Sequence, residues 1–268
     1  MLKRSDKGGG MIRSYQIEGT AISAWVNDGG FSDSRKSIVF LHGSGGDHKV
    51  WDRQCGALSG EFNVAAVDLP GHGLSGGAGE DDVGRYVEWV KKIVGALGLA
   101  TPVLAGHSLG AAISLTFATR YGSLLSAIVP VGGGCEMPVN SAIFDGLRDN
   151  HAATIDMILK FAVSKPNREA VAPALKEALN RIKPNLLSDD LRACDRLDLA
   201  GDLSKIALPA LFVCGEDDKM TPPDLSRFLA EKISGAKLAL IEGAGHYVMM
   251  ERPEAFNSVL AAFVRGLL

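Results

Sequence analysis

Runs of consecutive apolar residues, rather than alternating ones, dominate this chain. SIVFLHG (37–43), FNVAAVDL (62–69), TPVLAGHS (101–108), LLSAIVPV (124–131), PALFVCGE (209–216) and KLALIEG (237–243) each carry one. A strand covered on one face alternates polar and apolar positions. A strand covered on both faces loses its polar positions, so SIVFLHG reads as a central strand of a parallel sheet, FNVAAVDL repeats its pattern, and the others read as further strands. Between them come segments with helical spacing: one from the late forties to Leu58, then 81–97 ending at Gly98, 109–121, Pro223 to Ile233, and a last one from Pro253. Near the start, YQIEGTAISAWV (15–26) predicts a hairpin turning at Gly19-Thr20. Strands alternating with helices specify an α/β fold with a mostly parallel, doubly wound sheet.

The alternation stops after the three glycines at 132–134. From Met137 to Ala200 the pattern predicts short helices punctuated by Pro166, Pro173 and Pro184, and no strand. A helical insertion there lies over the carboxyl ends of the flanking strands, the edge at which open α/β sheets bind ligands. The expected organisation is a flexible leader at 1–10, with Met11 as an alternative start. A core follows from 11–135 and 201–268, and a helical cap from 136–200 roofs a pocket. Met137, Phe144, Met157, Ile158 and Phe161 are the apolar cap residues offered for that roof, with packing of the cap on itself as their ordinary alternative.

Composition narrows the function. With 268 residues, 46% of them hydrophobic, the chain has ample material for one large core. A net charge of −3 and no basic tract argue against nucleic acid or an anionic membrane as partner. The charged beginning MLKRSDKGGG has no apolar stretch behind it, so no signal peptide is expected, and no segment is apolar enough to span a bilayer. Cys55, Cys135, Cys194 and Cys214 are scattered without metal-ligand spacing, which fits reduced thiols and a cytoplasmic setting. No ligand-spaced cluster or phosphate loop calls for a metal or organic cofactor. Nothing in the pattern indicates an oligomeric state.

Chemistry concentrates at Gly106-His107-Ser108-Leu109-Gly110, where a predicted strand becomes a predicted helix. A serine between glycines in that context reads as a nucleophile elbow, its hydroxyl raised above the sheet on a turn too tight for neighbouring side chains. The N–H of Leu109 opens the helix and offers a donor to a developing oxyanion. The serine needs a base, and the base an orienting acid. His246, in a small-residue loop just past a strand, is the candidate base. His107 should be turned away by the elbow, and His42 should bond loop backbone. His48, His72 and His151 are read as solvated or structurally satisfied rings. The acid comes from GEDDKMTPP (215–223), which offers Glu216, Asp217 and Asp218; spacing alone leaves the three open. The order serine, acid, histidine is the one expected with an elbow.

Taken together, LHGSGGDHKVW (41–51), DLPGHGLS (68–75), GHSLG, GEDDKMTPP and GAGHYVMMERPEAFN (243–257) resemble, in order, the motif loops of the α/β-hydrolase fold superfamily. Within it the chain is similar to the capped, esterase-like branch that includes carboxylesterases and carbon–carbon bond hydrolases. The resemblance implies Asp218 as the acid, three residues after Gly215 and four before Pro222. It implies the backbone N–H of Ser44 as the second oxyanion donor, opposite Leu109. A minority of relatives carry the acid after the strand preceding the cap, where Glu136 is the nearest residue here. Serine at 108 separates the chain from dehalogenases and epoxide hydrolases, which carry aspartate there. The implied activity is hydrolysis of a small or medium carboxylic ester through an acyl-enzyme on Ser108. The rivals are a carbon–carbon hydrolase of vinylogous diketones, with Arg148, Lys160 or Arg192 facing a substrate carboxylate, a cofactor-free perhydrolase, and a slow-turnover ligand receptor with a protein partner.

Overall fold

Five strands, each five residues long, are buried at every position: β3 (Ser37–Leu41), β4 (Asn63–Val67), β5 (Val103–His107), β6 (Ala127–Val131) and β7 (Leu211–Gly215). With β1 (Gly10–Ile17), β2 (Thr20–Asn27) and β8 (Lys237–Ile241) they form one sheet, ordered β1-β2-β4-β3-β5-β6-β7-β8. Only β2 runs against its neighbours; the remaining pairings are parallel. The structure, a computed structural model, describes residues 9–267. Residues 1–8 of the expected leader lie outside the described residues, and Gly10 already belongs to β1.

Successive residues of each inner strand point to opposite faces, which builds two cores from one sheet. On one face, Val39, Leu41, Val67 and Leu104 pack with α2 (Val83–Leu97), α3 (Leu109–Tyr121) and Leu229 of α8 (Pro223–Lys232). On the other, Ile38, Phe40, Val64 and Ala105 pack with Cys55 and Leu58 of α1 (Asp52–Leu58) and with Phe256 and Leu260 of α10 (Pro253–Arg265). Local signals set the helix ends. Asp82 accepts a hydrogen bond from the N–H of Arg85 at the start of α2, and Gly98, at φ 67°, ends it in the left-handed region.

Between β6 and β7 the chain inserts α4 (Ser141–Asp149), α5 (His151–Ala162), α6 (Arg168–Arg181) and α7 (Pro184–Asp195). An antiparallel bridge between Glu136 and Asp198 joins the two ends of this segment. A short α9 (Val248–Glu251), absent from the sequence reading, precedes α10. No helix among the described residues is long and apolar enough to cross a membrane.

Two local expectations need correction. The hairpin turns on Glu18-Gly19, both at positive φ, with Ile17 paired to Thr20; it does not turn at Gly19-Thr20. This is the backbone of a tight two-residue turn, which a glutamate does not advertise. Pro173 does not interrupt the helices but lies inside α6. Proline removes the hydrogen bond to the carbonyl four residues back, here that of Glu169 in the exposed first turn, where water can take its place.

At the junction of β5 and α3 the backbones approach one another closely. A Cβ on Gly106 would stand 1.9 Å from the carbonyl oxygen of Gly110, and one on Gly110 would stand 2.5 Å from that of Leu41. Gly106→Ala is therefore expected to lower stability by at least about 3 kcal/mol, in the range of severe core disruption. Gly56→Ala, inside α1 with no atom within 4 Å of the added carbon, should raise it by about 0.5–1 kcal/mol. Thermal and urea melts of the two variants should shift in opposite directions.

Candidate active site

β5 delivers His107 and then Ser108, whose backbone sits at φ 54° and ψ −112°. Such a conformation strains a residue with a side chain by about 1–3 kcal/mol and persists only where the surroundings fix it. Here they do. The Ser108 N–H donates to Val131 O at 2.9 Å, and Ser108 O accepts from the N–H groups of Ala111 and Ala112 at 2.8 and 3.0 Å. Leu109 is the first residue of α3, where N–H groups have no carbonyl behind them in the helix. Gly43 follows β3 beside the elbow, and a Cβ there would meet the Ser108 Cβ at 3.0 Å.

Asp218 and His246 stand in the loops after β7 and β8. Oδ2 of Asp218 accepts from His246 Nδ1 at 2.8 Å and from Thr221 Oγ1 at 2.9 Å. Oδ1 accepts from the N–H groups of Met220 and Thr221, both at 2.9 Å. Burial pushes the Asp218 carboxyl up, but the charge and hydrogen bond of His246, joined by the backbone and hydroxyl hydrogen bonds of Thr221, outweigh it and hold the pKa below the ordinary carboxylate value. Because the carboxylate only accepts, the proton of a neutral His246 ring lies on Nδ1 and the lone pair on Nε2. The His246 N–H donates to Ala162 O at 2.7 Å, which fixes the loop to the end of α5. Gly132, at φ 56°, passes close beneath: a Cβ there would lie 3.2 Å from both Asp218 Oδ2 and His246 Nδ1.

Of the other acids considered, Glu216 and Asp217 are exposed, as is Glu136 at the neck of the insertion. Thr221 and Gly132 escaped the sequence reading. A threonine three residues after an aspartate is a local signal for a hydroxyl bonding that carboxylate. Gly132 carried no such signal, since it is one of three consecutive glycines.

The remaining histidines divide by what their two ring nitrogens face. His42 accepts from the Leu69 N–H at Nε2 and donates from Nδ1 to Gly43 O; burial, then the nearby His72, drives its pKa down to about 4. His107 donates from Nε2 to His246 O, its ring centroid 4.6 Å from that of His246, and burial depresses its pKa so that the ring is neutral. His48 bonds the buried Asp68, and His72 bonds the buried Asp190. His151, on the inserted segment, lies 3.4 Å from Leu179 O.

Ser108 and His246 line one cavity of about 580 Å³. Met137, Ile143, Ile158, Leu179, Leu187 and Leu191 supply much of its apolar wall from the inserted segment, and Leu225 adds to it from α8. Met137 and Ile158 thus take the expected place. Phe144 does not line the cavity but faces the Arg192 guanidinium, and Met157 and Phe161 are 40% and 50% exposed on the outer surface. Arg148, Lys160 and Arg192 are exposed as well and do not reach the wall, whose one lysine is Lys219. Among the described residues, no group of three or more His, Cys, Asp or Glu side chains is arranged to hold a metal ion. All four cysteines are buried free thiols.

The strand order, with its strained turn between β5 and α3, defines the α/β-hydrolase class of fold. The chain belongs to the Alpha/beta hydrolase family, which it matches over residues 38–259. It is similar to a pimeloyl-(acyl-carrier protein) methyl ester esterase of Neisseria meningitidis serogroup A, with 28% identity over 251 residues, 88% of this chain and 79% of that protein. A solved structure described as a thermophilic esterase superposes with a TM-score of 0.81 at 28% identity, covering 100% of both chains. The enol-lactonase of Burkholderia xenovorans LB400 shares the fold, with a TM-score of 0.86 at 22% identity over 94% of this chain and 100% of that one.

The depressed pKa of Asp218 has a measurable consequence. Its ionised form contributes stability that is fully present above the unfolded value of about 3.9 and is lost as pH falls through the lower folded value. Urea midpoints of the wild type should therefore fall more steeply between pH 5 and pH 3 than those of Asp218→Asn. Parallel slopes would mean that the carboxylate does not favour the folded state.

Proposed function

We propose that this chain is a serine hydrolase that cleaves a small or medium carboxylic ester through an acyl-enzyme on Ser108. One observation carries the reading: a serine on a strained strand-to-helix turn lines the same apolar cavity as His246, a histidine whose other nitrogen is bound to the buried Asp218.

In this reading His246 Nε2 takes the proton of Ser108 as the hydroxyl oxygen attacks the ester carbonyl carbon. Asp218 holds the ring in the tautomer that leaves Nε2 open and stabilises the imidazolium that forms. The N–H groups of Ser44 and Leu109 receive the oxyanion, each contributing about 3–4 kcal/mol to the transition state. The tetrahedral intermediate collapses, His246 gives its proton to the departing alkoxide, and the alcohol leaves. Water then repeats the sequence on the acyl-enzyme, releasing the acid and restoring Ser108. No step draws on a metal or organic cofactor.

The inserted segment, 136–200, serves as the cap over the acyl group in this proposal, with 11–135 and 201–268 as the hydrolase core. The apolar side chains it contributes to the cavity wall support that role. A volume of about 580 Å³ falls within the range of small-molecule sites and suits a medium acyl chain better than a charged polymer. The free buried cysteines are consistent with a reducing cytoplasmic compartment. The Neisseria relative, named for its action on a methyl ester, supports ester hydrolysis as the reaction type.

A p-nitrophenyl ester series from acetate to long acyl chains, assayed with wild type and Ser108→Ala, tests the proposal. Turnover should be fastest at intermediate chain length and fall by at least about 10⁴-fold in the variant. Equal rates in the two proteins would refute an acyl-enzyme on Ser108.

A further inference from the structure

The loop that carries Ser44 is gripped by a carboxylate belonging to the inserted segment. Asp190, on α7, is completely buried and receives hydrogen bonds from three separate parts of the core. Its Oδ2 accepts from the N–H of Gly45 at 2.7 Å and from His72 Nε2 at 2.9 Å, and its Oδ1 accepts from the Tyr86 hydroxyl at 2.6 Å. The other nitrogen of His72 lies 3.0 Å from Pro70 O. Both nitrogens thus face atoms that only accept, which calls for the imidazolium. Burial alone would lower the His72 pKa, but the charge and hydrogen bond of Asp190 raise it above the ordinary histidine value. His72 and Asp190 thus form a buried pair, 2.9 Å apart.

What this carboxylate holds gives it meaning. The Gly45 N–H belongs to the peptide unit joining Ser44 to Gly45, so fixing that N–H fixes the rotation of the backbone on the far side of Ser44. Gly45 sits at φ 65°, and a Cβ there would strike Ile182, Leu179 and Leu187, at 2.7, 2.8 and 3.1 Å. The loop is therefore pressed against the inserted segment as well as bonded to it. One helical turn after Asp190, Cys194 places its Sγ 3.9 Å from Ser44 Oγ.

We propose that Asp190 is a positioning residue for the oxyanion site: by bonding the Gly45 N–H from α7, it aims the Ser44 N–H at the developing oxyanion, so the site is complete only while α7 is seated. This rests on the reading of Ser44 as an oxyanion donor. Asp190 does not touch substrate. Its loss should be felt in the transition state and not in ground-state binding.

The test uses the full chain with the p-nitrophenyl ester that the wild type turns over best. Asp190→Ala is expected to lower kcat by about 10²-fold, the lower end of what one oxyanion donor contributes, with KM within about threefold. Affinity for phenylboronic acid, which adds to the serine and mimics the tetrahedral state, should fall in parallel with kcat. Asp190→Asn, turning its carbonyl to Gly45, should restore kcat to within about tenfold of wild type. Tyr86→Phe, which removes the other arm of the carboxylate, should leave kcat nearly unchanged. Asp190→Ser, too short to reach Gly45, should reproduce the alanine result and stands in for it if alanine does not fold.

Several outcomes would overturn the proposal: a folded alanine or serine variant with wild-type kcat, a loss confined to KM, or an asparagine variant as impaired as alanine. Failure of both short variants to fold while asparagine folds would assign Asp190 to the fold and overturn it too. Ser108→Ala in the same assay separates the two levels. If it keeps activity, the underlying reading of the site fails; if it is inactive while Asp190→Ala is not, only the positioning role fails.

Discussion

Crowding between backbones at the end of β5 sets the terms for the rest of this molecule. The carbonyl of Gly110 lies where a side chain on Gly106 would be, and the carbonyl of Leu41 lies where one on Gly110 would be. Close approach at this point brings α3 onto the sheet, forces Ser108 to positive φ and sets the loop after β3 against the elbow. A serine in such a turn has no rotational slack in its own backbone. Its neighbours therefore do the adjusting, and the loops after β3, β6, β7 and β8 gather around it.

Three buried carboxylates each bind a histidine: Asp68 with His48, Asp190 with His72, and Asp218 with His246. At contact distance the pairs look alike, and what separates them is the rest of each ring and where it points. His72 has acceptors at both nitrogens and acts as a fixed cation. His246 has a carboxylate at Nδ1 and lines the cavity beside Ser108, which leaves Nε2 free for proton transfer in the proposed mechanism. A carboxylate–histidine pair is thus a common structural part, and the surroundings of the second nitrogen determine whether it bonds the fold or serves chemistry.

How legible all this is in the sequence follows from how local each determinant is. The inner strands are legible because burial on both faces removes polar residues from them, and α3 is legible because its start is marked by the elbow glycines. Ser108 and His246 each sit in a short stretch of distinctive composition, while only the family resemblance separates Asp218 from Glu216 and Asp217. Other features lack such marks. Nothing in Glu18 signals positive φ. Helical periodicity in the inserted segment shows that one face is apolar but not which way it looks, and so Met157 and Phe161 lie on the outer surface while Ile158 lines the cavity. Asp190 is the plainest case. Its partners are 145, 118 and 104 residues away in the chain, and only the folded arrangement of α7 over the loops reveals them.

The bridge between Glu136 and Asp198 brings the two ends of the inserted segment side by side, just beyond β6 and β7, themselves paired at Val131 and Val213. Chain enters and leaves through a narrow neck beside these two strand ends. For evolution this is a splice point. Segments of different shape can be exchanged above an unchanged Ser108 turn, and in the proposed function new substrate preferences can arise without refolding the body. A replacement segment would still have to supply what this one gives the core: the Asp190 carboxylate at Gly45 and the Ala162 carbonyl at the N–H of His246.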